Sequence, residues 1–180
     1  MRNESISPLT PPPLFPCASD LSLTRFDTRY HWGFLVGPKI EDEEEVPGTR
    51  YHVKNHPIHG WVYEERHLTN VQSTITLLAR ILIAKVEDEG RLIAIFRNTP
   101  VVQDDPNWRC RTWVQAVLAS IRRDGRAVGT SNLSWAEIEP LAREYVAKKT
   151  ESGRYGVSQI ENMNLPKPTW DMLEDKEIVP

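Results

Sequence analysis

The sequence is poor in cysteine. Its two cysteines, Cys17 and Cys110, lie in a proline-rich leader and in a tryptophan-rich segment, an arrangement unlike the disulfide framework of a small secreted protein. The N-terminal segment also lacks the apolar h-region of a signal peptide. Apolar runs such as residues 81–84 are far shorter than the roughly 20 residues of a membrane span. We therefore expect a cytoplasmic protein.

Neither sign of charge dominates the composition. A formal net charge of −3 over 180 residues argues against a surface that is basic throughout, so a nucleic-acid partner would have to meet a local basic patch. The length suits one domain with a tail, and the 39% hydrophobic content is enough for a real core. No internal repeat is visible. We predict neither a cofactor nor a bound metal.

Proline content and periodicity divide the chain. Five prolines between positions 8 and 16 predict a disordered leader over residues 1–27, and further prolines predict that residues 151–180 form a C-terminal surface extension. The domain between them, residues 28–150, has the pattern of an α+β fold, an antiparallel sheet packed on helices. Its predicted strands are 29–37, 49–54, 60–65 and 77–86, and its predicted helices are 91–97, 107–123 and a helix from the cap Ser134 to about Lys149.

Cys110 is the strongest candidate for a reactive group. It lies at or near the start of the helix predicted over 107–123, where unpaired N–H groups and the helix dipole stabilise a thiolate. Arg109 and Arg111 flank it, so we expect a lowered pKa and a nucleophilic sulfur. The same N–H groups are placed to bind an oxyanion. The alternative is a buried cysteine that only packs.

Two of the five histidines lie on neighbouring predicted strands. His31 is in the first strand and His52 in the second, so both imidazoles can emerge on one face of the sheet. His31 would then act as the base for Cys110, and His52 would fix its tautomer. A structural role for either histidine alone is nearly as well supported.

The order of these motifs resembles the circularly permuted papain-like superfamily, and especially the lecithin retinol acyltransferase-like enzymes. The matching segments read HWGFLVG at 31–37, YHV at 51–53 and NWRCRTWV at 107–114. The resemblance implies His31 as base, His52 as orienting residue and Cys110 as nucleophile. The chain departs from that pattern because its asparagine lies three positions before the cysteine, and because a loop with five consecutive acidic residues (41–45) separates the histidine strands. Glu64 and Glu65 are alternatives to His52.

A narrower resemblance concerns small fungal proteins of specialised metabolism. The strands YHWGFLVGPK at 30–39 and YHVKN at 51–55, with the CRTWV helix start at 110–114, look like those of arginine-containing cyclodipeptide synthases. This likeness implies a tRNA-dependent aminoacyl transfer that ends in a diketopiperazine. It also implies a carboxylate partner for an arginine substrate, for which Glu64 and Glu65 are the first candidates and Asp104 and Asp105 the next.

Other residues around the expected site are weaker candidates. Trp32 and Trp108 adjoin the predicted catalytic residues and are candidates for the wall of an acyl pocket, although core packing explains them as well. Arg109, Arg111, Arg122, Arg123 and Arg126 are candidates for an RNA contact, or simply for a solvated helix face.

Three competing functions stay open at this stage. A zinc site would combine His52, His56 and His59 with Cys110, but Pro57 interrupts that stretch. A thiol amidase or esterase would form the same acyl-enzyme and let water attack it. A non-catalytic binding module would retain the fold without the chemistry.

Overall fold

The computed structural model describes residues 13–20, 30–38, 41, 43–74, 76–155 and 165–180. Within these residues it has nine strands and three helices, which is the α+β class that the sequence predicts. None of the helices in this part of the chain has the length and hydropathy of a membrane span. In chain order the elements are β1 (Pro13–Asp20), β2 (Tyr30–Val36), β3 (Gly48–His56), β4 (Gly60–Leu68), β5 (Leu77–Leu82), β6 (Ala84–Val86), α1 (Glu89–Asn98), α2 (Cys110–Asp124), β7 (Val128–Ser131), α3 (Trp135–Glu151), β8 (Thr169–Asp171) and β9 (Lys176–Val179).

One sheet carries all the strands. Its main order is β4-β3-β2-β1-β5-β8-β9; off this path, β6 pairs with β1, and β7 pairs with β6. All the recorded pairings are antiparallel except that of β5 with β8, so the predicted antiparallel sheet is mixed at one position. The three strands that carry His31, His52 and Glu64 (β2, β3 and β4) therefore lie side by side at one end of the sheet.

The helices pack on one face of that sheet. In α2, Trp113, Val117 and Ile121 recur at every fourth position and are all buried, as their spacing predicts. The α2 residue Trp113 meets Phe34 of β2 with ring centroids 5.9 Å apart, and Phe34 also stacks on Phe96 of α1 at 5.1 Å. This contact fixes α2 against β2 and so determines where its first residue, Cys110, lies.

The ends of the helices follow local rules in part. Gly125 ends α2 in the left-handed conformation at φ 65°, where glycine is favoured. The helix begins at Cys110 rather than at residue 107, because Asp105 accepts the Asn107 N–H and holds the preceding residues in a turn. Ser134 is the N-cap of α3, but its side chain forms no cap hydrogen bond, and the Glu137 carboxylate accepts from Asn132 instead.

The predicted leader is wrong for residues 13–20, which form β1 in the interior of the sheet, between β2 and β5. Proline is normally excluded from such a strand because it cannot donate a ladder hydrogen bond. Here Pro13 is the first residue of β1, and Pro16 lies opposite the break between β5 and β6, where no pairing on that side is recorded. Residues 1–12 and 21–27 of the predicted leader lie outside the described residues.

The predicted C-terminal extension is likewise wrong for residues 169–179, since β8 pairs with β5 and β9 extends the sheet. A contact from the acidic loop supports the pairing of β5 with β8. Glu41 forms two hydrogen bonds, of 2.6 and 2.8 Å, with the fully buried guanidinium of Arg80 on β5. The same guanidinium donates to Thr169 on β8. Glu43, Glu44 and Glu45 are exposed, as predicted for the loop.

Candidate active site

Cys110 is the first residue of α2 and lies against the backbone of β2. Its Sγ accepts the N–H of Trp32 at 3.4 Å and is 4.0 Å from the carbonyl oxygen of Tyr30. These two backbone atoms flank His31. They are accessible to the sulfur because the recorded pairing of β2 with β3 begins only at Gly33 and His52. The start of α2 therefore lies against the part of β2 that has no recorded pairing with β3.

Three side chains on one face of the sheet form a hydrogen-bonded row. His31 Nε2 is 2.6 Å from His52 Nδ1, and His52 Nε2 is 2.8 Å from Glu64 Oε2. The strand register produces this row, because His52 lies directly opposite both Gly33 and Glu64. A Cβ on Gly33 would lie 2.9 Å from His52 Cβ, so only glycine leaves room for the imidazole. Lys54 binds the other oxygen of Glu64.

The carboxylate at the end of the row determines the position of each proton. Glu64 has a pKa lowered to about 2, chiefly by its hydrogen bond to Lys54, so it is ionised and can only accept. His52 must then donate from Nε2 and accept at Nδ1. His31 in turn donates from Nε2, which leaves its Nδ1 unprotonated. The row thus prepares His31 as a base with one available lone pair.

Burial keeps both His31 and Cys110 uncharged before any reaction. It lowers the pKa of His31 to about 3, with further lowering by the charges of His52 and Arg50. Burial also raises the pKa of the Cys110 thiol, against the opposing effect of the backbone N–H groups of Trp32, Arg111 and Cys110 itself. The expected lowered pKa of Cys110 is therefore wrong, because desolvation of the thiolate outweighs the helix start. Among the described contacts, none is a hydrogen bond between Sγ and the His31 ring.

A cavity of about 590 Å³ opens over these groups and is lined by Cys110, His31, His52 and Glu64 together. Cys110 and His31 are 7% and 8% exposed, so both line its buried end. Five residues at its rim are exposed, namely Asn55, Arg66, Thr76, Pro106 and Asn107. The cavity is thus large enough for a small acyl group and open on one side for the rest of a substrate.

A family model matches residues 14–179, most of the chain. The chain belongs to DUF6914. This is a family of unknown function. No curated protein matches the chain, and no solved structure matches it. Inference about what this DUF6914 protein does therefore depends on its own geometry.

Two predicted site residues of this DUF6914 chain lie outside the cavity. Glu65 points away from Glu64, as successive strand residues do, and binds Arg97 through two hydrogen bonds of 2.7 and 2.8 Å. Trp108 is buried beneath Trp61, with ring centroids 5.1 Å apart, and Trp61 is the tryptophan that lines the cavity beside Trp32. Neither Glu65 nor Trp108 lines this cavity, and their contact with a substrate stays a prediction. Asp104 and Asp105 are exposed and do not line the cavity either.

The predicted arginine patch is divided between the two ends of α2. Arg109 and Arg111 line the cavity, whereas Arg122 and Arg123 lie in the last turn, roughly 17 Å away at 1.5 Å per residue. Arg122 donates to the carbonyl of Leu133 there. An RNA contact that used all four residues would therefore have to extend along the whole helix, and it stays a prediction.

The zinc alternative gains no support. Among the residues that the structure describes, no group of three His, Cys, Asp or Glu side chains is placed to hold a metal ion. His56 and His59 stack on each other at 4.7 Å, while His52 is held between His31 and Glu64.

Sequence reasoning missed three cations of the cavity: Arg50, Lys54 and Arg66. The signal was present, because Arg50, His52 and Lys54 alternate along one strand and must share a face. Arg66 follows from the register, which places it directly opposite Arg50.

Proposed function

We propose that this protein is a cysteine-dependent acyltransferase, with Cys110 as nucleophile, His31 as general base and the His52–Glu64 pair as orienting residues. The observation that carries the proposal is the hydrogen-bonded row, which ends in His31, a residue that lines the same cavity as Cys110. A core histidine that served packing alone would need neither this ordered chain of acceptors nor a cavity.

The chemistry follows from the uncharged resting pair. As Sγ attacks the carbonyl carbon of an acyl ester, the thiol proton passes to His31 Nδ1. The N–H groups at the start of α2 are available to the oxyanion. Collapse breaks the bond to the leaving alcohol, which takes the proton from His31, and a thioester on Cys110 remains. An amine then attacks the thioester, its proton passes through His31, and the thiol is regenerated.

A permuted papain-like arrangement is part of this proposal. Its support is the order of a strand histidine, a second strand histidine and a downstream cysteine that begins a helix packed on that strand. Glu64 adds a third member to the order of His31 and His52. It binds His52 and contributes a negative charge that a neutral His52 alone would not supply.

Aminoacyl transfer from tRNA, as in the arginine-containing cyclodipeptide synthases, is the narrower form of the proposal. Arg109 and Arg111 at the cavity support an RNA contact. Selection of an arginine side chain by Glu64 lacks support, because both carboxylate oxygens are already bound, one by His52 and one by Lys54. We therefore keep aminoacyl transfer as the narrower proposal without a guanidinium pocket.

The test is covalent capture of the acyl group. Wild type and Cys110→Ala are incubated with a panel of acyl donors, including aminoacyl-tRNAs, and intact mass is measured. We expect an adduct on wild type that is absent from Cys110→Ala and present on Cys17→Ala, the matched cysteine control. An adduct that persists in Cys110→Ala, or no adduct with any donor together with an unreactive thiol, would contradict the assignment.

A thiol hydrolase is the second candidate, and the exposed rim of the cavity favours it because water can reach the acyl-enzyme. The two functions differ in the product. With an amine acceptor present, a transferase gives an amide, whereas a hydrolase gives mainly the free acid.

A further inference from the structure

Cations dominate the cavity of this acidic chain. Among the described residues its lining carries one carboxylate, that of Glu64, against five cations, namely Arg50, Lys54, Arg66, Arg109 and Arg111. The chain as a whole carries a formal charge of −3. Positive charge concentrated in one concave site attracts an anionic ligand, because low-dielectric walls focus the field there.

Arg50 and Arg66 stand out among these cations. They lie directly opposite each other on β3 and β4, on the face that carries His52 and Glu64. Like charges in that position destabilise a sheet unless an anion lies between them. Lys54 differs because Glu64 binds it. Among the described residues neither Arg50 nor Arg66 has a carboxylate partner, and the Nε of Arg50 is buried without a hydrogen bond.

We propose that Arg50 and Arg66 form a phosphate-binding subsite, which holds a phosphate-bearing acyl donor with its carbonyl beside Cys110. This inference rests on the proposed function and names the class of its substrate. Two guanidinium groups supply planar pairs of donors that match phosphate oxygens. A phosphate carries enough negative charge to offset both cations, which one carboxylate does not.

The subsite is coupled to the general base. The charge of Arg50 lowers the pKa of both His31 and His52. A phosphate bound to Arg50 offsets that charge, so the basicity of His31 rises when the donor is in place. The substrate would thus strengthen the base that it needs.

Two alkylating agents of nearly equal size test the subsite directly. Iodoacetate carries a negative charge and iodoacetamide does not, so their rate ratio at Cys110 reports the local field and cancels changes in thiol reactivity. The ratio is measured by mass spectrometry of the peptide that contains Cys110, relative to the ratio for a small free thiol. We expect wild type to favour iodoacetate by about tenfold or more at low salt, and less at high salt.

The variants separate local from overall charge. Arg66→Gln and Arg50→Gln should each reduce the ratio several-fold. Arg122→Gln removes the same charge at the far end of α2 and should leave the ratio unchanged. Arg66 is exposed, so its variant is expected to fold normally. An equal effect of all three variants, or no effect of the first two, would overturn the proposal.

Competition identifies the anion. Pyrophosphate at millimolar concentration should slow iodoacetate alkylation of wild type and have little effect on Arg66→Gln. Acetate at the same concentration should have little effect on either, and equal protection by acetate would overturn the assignment to phosphate. If neither agent alkylates Cys110, the proposed function fails; if iodoacetamide reacts normally while the charge preference is absent, only the subsite fails.

Discussion

Replacing Glu64 by Gln should inactivate the site by reversing the direction of its hydrogen bonds. In the native row Glu64 accepts from both Lys54 and His52. The glutamine of the variant can satisfy the Lys54 ammonium only with its amide oxygen, so its NH₂ group must face His52. His52 would then accept at Nε2 and donate from Nδ1. His31 would accept at Nε2 and carry its proton on Nδ1, where it cannot take the thiol proton.

The size of the effect follows from the Lys54 hydrogen bond. A hydrogen bond to a charged group contributes about 1.5–3 kcal/mol, which biases the amide toward the reversed orientation by about 10- to 100-fold. Loss of the carboxylate that stabilises the imidazolium adds to this. We therefore expect the reaction of Cys110 to slow by about 100-fold or more, in acyl transfer or in alkylation by iodoacetamide near neutral pH.

A second substitution, Lys54→Met, tests whether Lys54 determines the orientation of the amide. Lys54→Met alone leaves Glu64 as an acceptor and should have little effect. In the Glu64→Gln/Lys54→Met double variant the amide is no longer biased, so about tenfold of the lost rate should return. Glu65→Gln, one residue away on the opposite face, is the matched control. ¹⁵N NMR of the His31 ring reports the tautomer, and a double variant as slow as Glu64→Gln, or an unchanged tautomer, would refute the mechanism.

Three further predictions concern stability and packing. The pKa of His31 is lowered from 6.5 to about 3, so between these pH values the unfolded chain binds more protons than the folded protein. The free energy of unfolding should therefore be full above pH 6.5 and fall by about 4 kcal/mol toward pH 3. Urea unfolding of wild type and His31→Gln at several pH values measures this difference, and an equal pH dependence of the two free energies would contradict it. Gly33→Ala should displace His52, cost about 1–3 kcal/mol and slow alkylation of Cys110, whereas Gly90→Ala, whose new Cβ would lie 3.6 Å from its nearest neighbour, should do neither. Glu41→Ala removes a carboxylate that binds the buried Arg80 and should cost about 3–5 kcal/mol in thermal or urea unfolding. A cost as small as that of the exposed Glu43→Ala would show that this ion pair contributes little.

Local patterns were sufficient where a residue's role depends on its own element. The burial of Trp113, Val117 and Ile121 and the end of α2 at Gly125 follow from spacing and turn chemistry. The row of His31 and His52 also could be predicted, because His52 lies opposite Gly33 and residues two apart on a strand, such as His31 and Gly33, share a face.

Long-range partners explain what the sequence did not reveal. The proline content led us to miss β1. Its place in the sheet depends on the interval between β5 and β6, about 70 residues further along the chain, where no pairing with β1 is recorded. The expected lowered pKa of Cys110 neglected burial against β2, 78 residues away. Glu64 and Glu65 could not be distinguished until the register fixed which of them faces His52.

The position of β5 has a consequence for biogenesis. One neighbour of this strand, β1, emerges early from the ribosome, and the other, β8, emerges only after residue 171 has been synthesised. Until then Arg80 has no Thr169 to bind. A nascent chain or a truncated product ending before residue 169 would present an unpaired strand edge beside a buried cation, and we expect chaperones and proteases to recognise it even though the elements that carry Cys110 and His31 are already complete.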